Sequence, residues 1–220
     1  MEVTAIIVAR KGSVRVKNKS MSLLGSETLI ERKIRQLKNS KLVNRIVFGS
    51  NCDEMLSHAA IFGAEVIKRE DYYCDESVCS ANEMIGNMCD LIETDIVLWS
   101  HCTNPFIEGD LYDQAITQFL NSECDSLLSV VELREHLWAE GKPFNYNPYS
   151  GRHVPAKELQ PLYMQDGGIF IQKWRDMKEN RYFFGKNPSL FIINQDSFFD
   201  INTEKDLLMA RGLISSGLYR

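Results

Sequence analysis

The sequence predicts an α/β protein, a single domain over residues 1–220 whose open, mostly parallel sheet is covered on both faces by helices and so is three layers deep. Three observations predict it. Short apolar runs of strand length alternate with stretches whose apolar residues recur at helical spacing, the rhythm of right-handed strand–helix–strand crossovers. A chain of 220 residues, 44% of them hydrophobic, has ample material for one core. The rhythm then breaks between 132 and 165, where Pro143, Pro148, Gly151, Pro155 and Pro161 interrupt a polar, aromatic-dotted segment.

Residues 3–9 are an apolar run ended by Arg10 and Gly12, as expected of a strand buried on both faces. A helix follows, with Ser26 or Thr28 as its cap, Leu29, Ile30, Ile34 and Leu37 on its inner side, and Asn39-Ser40 closing it. The pattern repeats as a strand over 45–49, a helix over 53–62 and a strand over 64–68. Residues 80–92 carry Met84, Ile85, Met88, Cys89 and Ile92 at helical spacing and lead into a strand over 95–99. Residues 111–120 are helical through Leu111, Ala115, Ile116 and Phe119, and 126–131 form a strand. Long loops without periodicity serve as lids, binding loops or subunit contacts, so residues 132–167 are read as a dimerisation or lid excursion from the one domain. Strands resume over 168–172 and 190–194. A helix over 203–213 ends the pattern, with Thr203 as a cap and Leu207, Leu208 and Leu213 facing inward.

With 25 basic and 30 acidic residues the formal charge is 25 − 30 = −5, so the chain has no general attraction for nucleic acid or an anionic membrane. No apolar stretch reaches membrane-span length, and the opening MEVTAIIVAR lacks the features of a secretory leader, so a soluble, cytoplasmic protein is expected. Cys52, Cys74, Cys79, Cys89, Cys102 and Cys124 lie singly, without metal-ligand spacing, and read as free, packed thiols.

Against that acidic background residues 10–19 hold five basic residues and no acidic one, directly after the first strand. In an open parallel sheet this is the carboxyl-end crevice, where the backbone N–H groups of a glycine-containing loop meet phosphate. The position favours a polyanion over a solvated basic loop or a nucleic-acid patch. Neither the Walker pattern nor the dinucleotide G-x-G-x-x-G is present. Before the last helix, alternation puts Asp200 and Asn202 on one side of an extended segment, where both oxygens can face one site. Mg²⁺ bridging phosphates needs only one or two protein oxygens. Helix capping by Asn202 or Thr203 is the more ordinary reading of those residues taken alone.

Several motifs follow one another in a recognisable order. The first is Arg10, Gly12, Ser13, Arg15 and Lys19, an A-R-x-G-S-x-R pattern opened by Ala9, with its Lys nine positions after Arg10. Then come 65–69 with Asp75 and Ser80, Thr103-Asn104-Pro105, Tyr163 with Asp166 and Gly167, Phe183-Phe184, and Asp200 to Leu207 as D-I-N-T-x-x-D-L. In this the chain resembles the acylneuraminate cytidylyltransferases, with CMP-Kdo synthetase as a more distant cousin. The resemblance implies a Rossmann-like nucleotide-diphospho-sugar transferase fold and transfer of CMP from CTP to the anomeric hydroxyl of a sialic-acid-like 2-keto sugar acid. N-acetylneuraminate, legionaminate and pseudaminate are the types implied, with pyrophosphate released.

By the same resemblance Arg10, Lys19 and Asp200 would be catalytic, and Ala9, Arg10, Gly12, Ser13, Lys19, Arg69 and Ser80 would bind the nucleotide. His101, Thr103, Asp166, Phe183, Phe184 and Asn202 would bind the sugar. Asp200 and Asn202 would hold Mg²⁺. CTP and an acidic sugar are the implied partners, with a homodimer and neither nucleic acid nor membrane. Read without the resemblance, Arg69 is equally a surface charge, Phe183-Phe184 equally core, and His101 a hydrogen-bonding group before it is a general base. The sequence departs from the family pattern at Asn202 and Asn51, where Asp is usual, at His101 in place of Gln, and at Lys17 in place of Pro. An amide is a weaker Mg²⁺ ligand than a carboxylate. The residues therefore leave two alternatives open: a nucleotide-binding protein with weak or no transfer, and a transferase for another sugar such as Kdo.

Overall fold

The computed structural model describes residues 1–12 and 15–219. The chain runs through β1 (Val3–Val8), a hairpin of β2 (Leu23–Leu24) and β3 (Glu27–Thr28), α1 (Leu29–Lys38), β4 (Arg45–Ser50), α2 (Asp53–Ile61) and β5 (Glu65–Lys68). It continues through α3 (Ala81–Asp90), β6 (Ile96–Trp99), α4 (Gly109–Leu120), β7 (Ser126–Leu133), and the short pair β8 (Trp138–Ala139) and β9 (Lys142–Pro143). The last elements are β10 (Leu162–Lys173), α5 (Trp174–Asn180), β11 (Pro188–Ile192) and α6 (Glu204–Ser215).

The main sheet has seven strands in the order β11-β7-β10-β6-β1-β4-β5. Every neighbouring pair is parallel except those of β10, which lies antiparallel between β6 and β7. Strand alternation sorts the side chains into two cores. Val3, Ala5 and Ile7 of β1 with Ile96 and Leu98 of β6 face α1, α2, α4 and α6. Ile6 with Val97 and Trp99 faces α3 and α5. The expected three-layer α/β architecture is the one observed.

Local chemistry starts the helices. Thr28 Oγ1 accepts from the Glu31 N–H at 3.1 Å and the Thr28 N–H donates to Glu31 Oε2 at 3.3 Å, a capping box that opens α1. From there Leu29, Ile30, Ile34 and Leu37 bury completely, each removal from water contributing about 1.5–3 kcal/mol. Thr203 caps α6 in the same way with Asp206, so the capping role falls to Thr203 and not to Asn202.

Three features differ from the sequence expectation. The strand expected over 168–172 begins at Leu162, because Leu162 pairs with Leu133 of an equally extended β7, and the irregular segment shrinks to 134–161. Register shifts between Gln165 and Phe170, and Asp166 and Gly167 sit in this irregularity. The seven-residue α5 has too few turns to show helical periodicity in sequence.

Candidate active site

β1 delivers the chain to the mouth of the sheet, where the Ala9 N–H donates to the Gly49 carbonyl at 3.1 Å and the Lys11 N–H to Asn51 Oδ1 at 3.0 Å. Gly12 turns there with φ +85°, a left-handed conformation that favours glycine. Ser13 lies outside the described residues. Beyond it Lys19 opens a short 3₁₀ turn and its Nζ donates to the Ile201 carbonyl at 2.8 Å, tying the basic loop to the segment that carries Asp200. Burial pushes the Lys19 amine below its ordinary value, opposed by the Asp200 charge beside it.

The loop borders a cleft of about 500 Å³ at the carboxyl ends of β1 and β6. Ala9, Arg10, Lys19, Arg69, Ser80, His101, Thr103 and Phe183 line it, so most residues expected at the site from sequence do converge. Arg10 reaches across the mouth to Glu76 at 3.1 Å. Arg69 is buried, its Nε donating to Asn87 Oδ1 at 3.1 Å and its Nη2 to the carbonyls of Tyr73 at 3.2 Å and Met84 at 3.3 Å. No carboxylate lies within ion-pair distance of it among the described residues, so this cation both braces the 71–80 loop and leaves positive charge facing the cleft. Ser80 caps α3, with its hydroxyl engaged by Glu83.

Aromatic rings form one wall. Phe183 stacks on Phe170 with centroids 4.6 Å apart and meets Trp99 edge-on at 5.3 Å and His101 at 5.9 Å. Trp99 Nε1 donates to His101 Nε2 at 3.2 Å. The neutral ring therefore carries its proton on Nδ1, which faces the Gly167 backbone, and burial lowers the imidazole's pKa. Thr103 lines the cleft and its carbonyl accepts from the Ile201 N–H at 2.9 Å.

The other expected residues lie to one side of this cleft. Phe184 packs on Phe170 and Tyr182, away from the lining. Asp166 is buried, one carboxylate oxygen accepting from the Ser129 hydroxyl, and burial raises its pKa. With Asp200 and Asn202 it lines a neighbouring depression of about 380 Å³. Asn202 Nδ2 donates to Asp200 Oδ2 at 2.6 Å, and Asn202 Oδ1 accepts from Arg15 Nη2 at 3.1 Å.

The donor set fits a hard divalent cation only in part. Asp200 offers a carboxylate beside the basic loop, while the Asn202 oxygen is already taken by Arg15. Among the described residues no three His, Cys, Asp or Glu side chains converge as a metal cluster. Mg²⁺ needs few protein oxygens when phosphate and water complete its octahedron, so Asp200 suits an ion that arrives with a polyphosphate.

Sequence reasoning overlooked Glu76, which carried no signal, and Asn104. The latter sits inside the Thr103-Asn104-Pro105 motif and is almost fully buried, its Nδ2 donating to the carbonyls of Asp166 at 3.1 Å and Phe199 at 3.3 Å. It thereby joins the two segments that carry Asp166 and Asp200. No helix among the described residues is long and apolar enough to cross a membrane.

A family profile described as cytidylyltransferase matches residues 4–200. The chain is 27% identical to the post-translational flagellin modification protein B of Campylobacter coli, over 97% of this chain and 95% of that protein. It is also 27% identical to the CMP-N,N'-diacetyllegionaminic acid synthase of Campylobacter jejuni, with the same 97% and 95% coverage. Among solved structures, that of CMP:2-keto-3-deoxy-manno-octonic acid synthetase complexed with CTP shares the fold, with a TM-score of 0.74 at 13% identity over 99% of this chain and 100% of that one.

Proposed function

Because the chain belongs to the cytidylyltransferase family, we infer that it transfers CMP from CTP to the anomeric hydroxyl of a sialic-acid-like nine-carbon 2-keto sugar acid, releasing pyrophosphate. The legionaminate type of the Campylobacter jejuni relative, and its N-acetylneuraminate and pseudaminate counterparts, are the substrate class. The observation that carries this reading is the convergence of Arg10, Lys19 and Arg69 on one cleft, with Lys19 bonded to the chain beside Asp200.

The sugar hydroxyl attacks the α-phosphorus in line and passes its proton to solvent water, and the α-phosphorus–oxygen bond to pyrophosphate breaks. Positioning, together with neutralisation of charge on phosphate oxygens, does most of the work in such transfers. Arg10 and Lys19 grip the triphosphate, and the backbone at the Gly12 turn borders its oxygens. Arg69 adds fixed positive charge next to the base end, where Ala9 and Ser80 border the nucleotide. Asp200 would hold Mg²⁺, which when bound supplies further charge neutralisation on phosphate. Thr103 offers a hydrogen bond to the sugar, and His101 and Phe183 border it as a ring-lined wall. In this scheme His101 is not the base, since Nε2 already accepts from Trp99 and Nδ1 faces the Gly167 backbone. Asp166 and Phe184 support the sugar side from behind.

The same reading takes the enzyme as a cytoplasmic homodimer. Trp138, Phe144 and Tyr149 stand exposed on the 134–161 excursion, and aromatic groups of that kind are favoured in subunit contacts. Incubation of the purified chain with CTP, Mg²⁺ and a panel of nonulosonic acids, with pyrophosphate as readout, tests the function. Turnover with a nonulosonic acid is expected. Turnover with Kdo alone would move the substrate class, and CTP binding without any turnover would leave a nucleotide-binding protein.

A further inference from the structure

Lys33 of α1 is fully buried, and its Nζ ends on two acceptors, the Asn104 carbonyl and the Tyr112 hydroxyl. The far end of the string fixes the direction of its bonds. The Gly168 carbonyl can only accept, so it takes the Ser100 hydroxyl proton at 2.8 Å, Ser100 Oγ accepts from the Tyr112 hydroxyl, and the Tyr112 oxygen is left to accept from Lys33. A neutral amine has the two N–H groups this arrangement uses. An ammonium brings a third, for which no acceptor is bonded among the described residues. The other arm fixes the main chain of Asn104, whose side chain bridges the Asp166 and Phe199 carbonyls. Both arms therefore end on the sugar side of the cleft, one beside Thr103 and the other at Gly168, next to Asp166 and Gly167. Space is tight there, since a Cβ at Gly168 would collide with Ile107 and the Asp166 carboxylate.

We propose that Lys33 is a positioning residue for the sugar, holding 103–104 and 166–168 in one register from beneath so that Thr103 and Asp166 meet the sugar acid in a fixed geometry. This rests on the transfer reading above and deepens it by naming a residue outside the cleft that tunes its sugar side. An apolar side chain of the same length would fill the space but leave the Asn104 carbonyl and the Tyr112 oxygen unpaired in the core. The groups that face the amine are Arg32 on α1, His101 and Cys102 after β6, Glu108 and Tyr112 at the start of α4, and Asp166 on β10. Burial outweighs them and holds the amine at about 7, so a fall in pH through that value adds the third N–H and loosens the string.

The test compares the native chain, Lys33→Met and Tyr112→Phe. KM is measured for N-acetylneuraminate, N,N'-diacetyllegionaminate and pseudaminate, and CTP affinity by titration calorimetry. Lys33→Met is expected to raise the KM of the sugar that the native chain turns over by about 5- to 20-fold, and Tyr112→Phe by about 2- to 5-fold because the Asn104 arm remains, with CTP affinity within about 2-fold in both. In the native chain the sugar KM should rise as pH falls from 8 to 6, and Lys33→Met should lose that rise. An unchanged sugar KM in Lys33→Met, an equal loss of CTP and sugar binding, or the same pH dependence as in the native chain would overturn the proposal. Thermal unfolding checks that the variants fold. Should Lys33→Met not fold, Tyr112→Phe decides, and an unchanged sugar KM there would overturn it. Turnover of none of the three acids by the native chain would instead be the failure of the transfer reading. The crystal structure of the folded variant then decides: displacement of 103–104 against 166–168 is expected, and Asn104 Nδ2 kept on both carbonyls with 166–168 unmoved would overturn the positioning role.

Discussion

Lys33 Nζ donates to the main-chain carbonyl of Asn104 at 2.8 Å from a position on α1 with no solvent exposure. Its other partner is the Tyr112 hydroxyl at 2.7 Å, which in turn meets Ser100 Oγ at 2.9 Å, and among the described residues no carboxylate is bonded to the amine. A polar string thus runs through the core beneath the cleft, from α1 through Asn104 to the segments bearing Asp166 and Asp200.

That burial has a signature in stability. Removal from water pushes the Lys33 amine from 10.5 down to about 7. In the unfolded chain the amine stays protonated up to its ordinary value, so between about pH 7 and 10.5 the unfolded state binds the extra proton and stability rises with pH. Below pH 7 both states are charged and the full cost of burying an ammonium is carried. The contribution approaches about 1.4 kcal/mol per pH unit. Denaturant midpoints at pH 7, 8 and 9 should climb more steeply in the native chain than in Lys33→Met. Identical slopes would show that the amine does not titrate there.

Arg10 and Lys19 divide differently between binding and folding. Among the described residues Arg10 is ion-paired with the exposed Glu76, so Arg10→Ala should cost CTP affinity at least about tenfold, near 1.4 kcal/mol, with a stability change under about 0.5 kcal/mol. Lys19→Ala should cost similar affinity and also about 1 kcal/mol of stability, because it removes a part-buried bond to the Ile201 carbonyl. CTP titration and urea unfolding separate the two quantities. Native CTP affinity in both variants would remove the triphosphate from this loop.

Glu76 competes for the same guanidinium. The Arg10–Glu76 pair is 3.1 Å long, with the Glu76 side chain 80% exposed, so breaking it costs little and leaves the guanidinium's full charge to phosphate. Glu76→Gln is expected to tighten CTP by about 2- to 5-fold at low salt, and the gain should shrink in 0.5 M salt as screening weakens the pair in the native chain. Weaker CTP binding in the variant would instead make Glu76 part of the nucleotide site.

What the sequence made legible follows from periodicity and position. β1, β4 and β6 are short, largely apolar runs buried on both faces, and α1 announces itself through the Thr28–Glu31 cap and a one-sided apolar stripe. The basic loop was readable because its charge stands out in an acidic chain directly after a buried strand. The antiparallel direction of β10 was not, since strand composition is blind to orientation. Lys33 was unreadable for a related reason. In α1 it lies between Arg32 and Ile34 in a run that looks like a charged face, and only the packing of α4 and Asn104 over it turns it inward. Asn202 and Asp200 were rightly placed side by side, but the partner of the amide oxygen, Arg15, comes from the far end of the chain and leaves no local trace.

The Trp99–His101 contact yields the last prediction. Burial holds the imidazole pKa below the ordinary 6.5, and the Trp99 indole N–H occupies the nitrogen that would accept a proton. A histidine whose folded value is depressed is neutral in the fold while the unfolded chain takes up a proton, so its contribution to stability is present above about pH 6.5 and lost as pH falls toward the folded value. Trp99→Phe leaves an apolar ring over Phe183 but frees Nε2. The His101 resonance followed by NMR should then titrate at higher pH than in the native chain, and the acid side of the stability profile should flatten. An unshifted His101 titration in the variant would mean that desolvation alone, and not the indole bond, keeps the ring neutral.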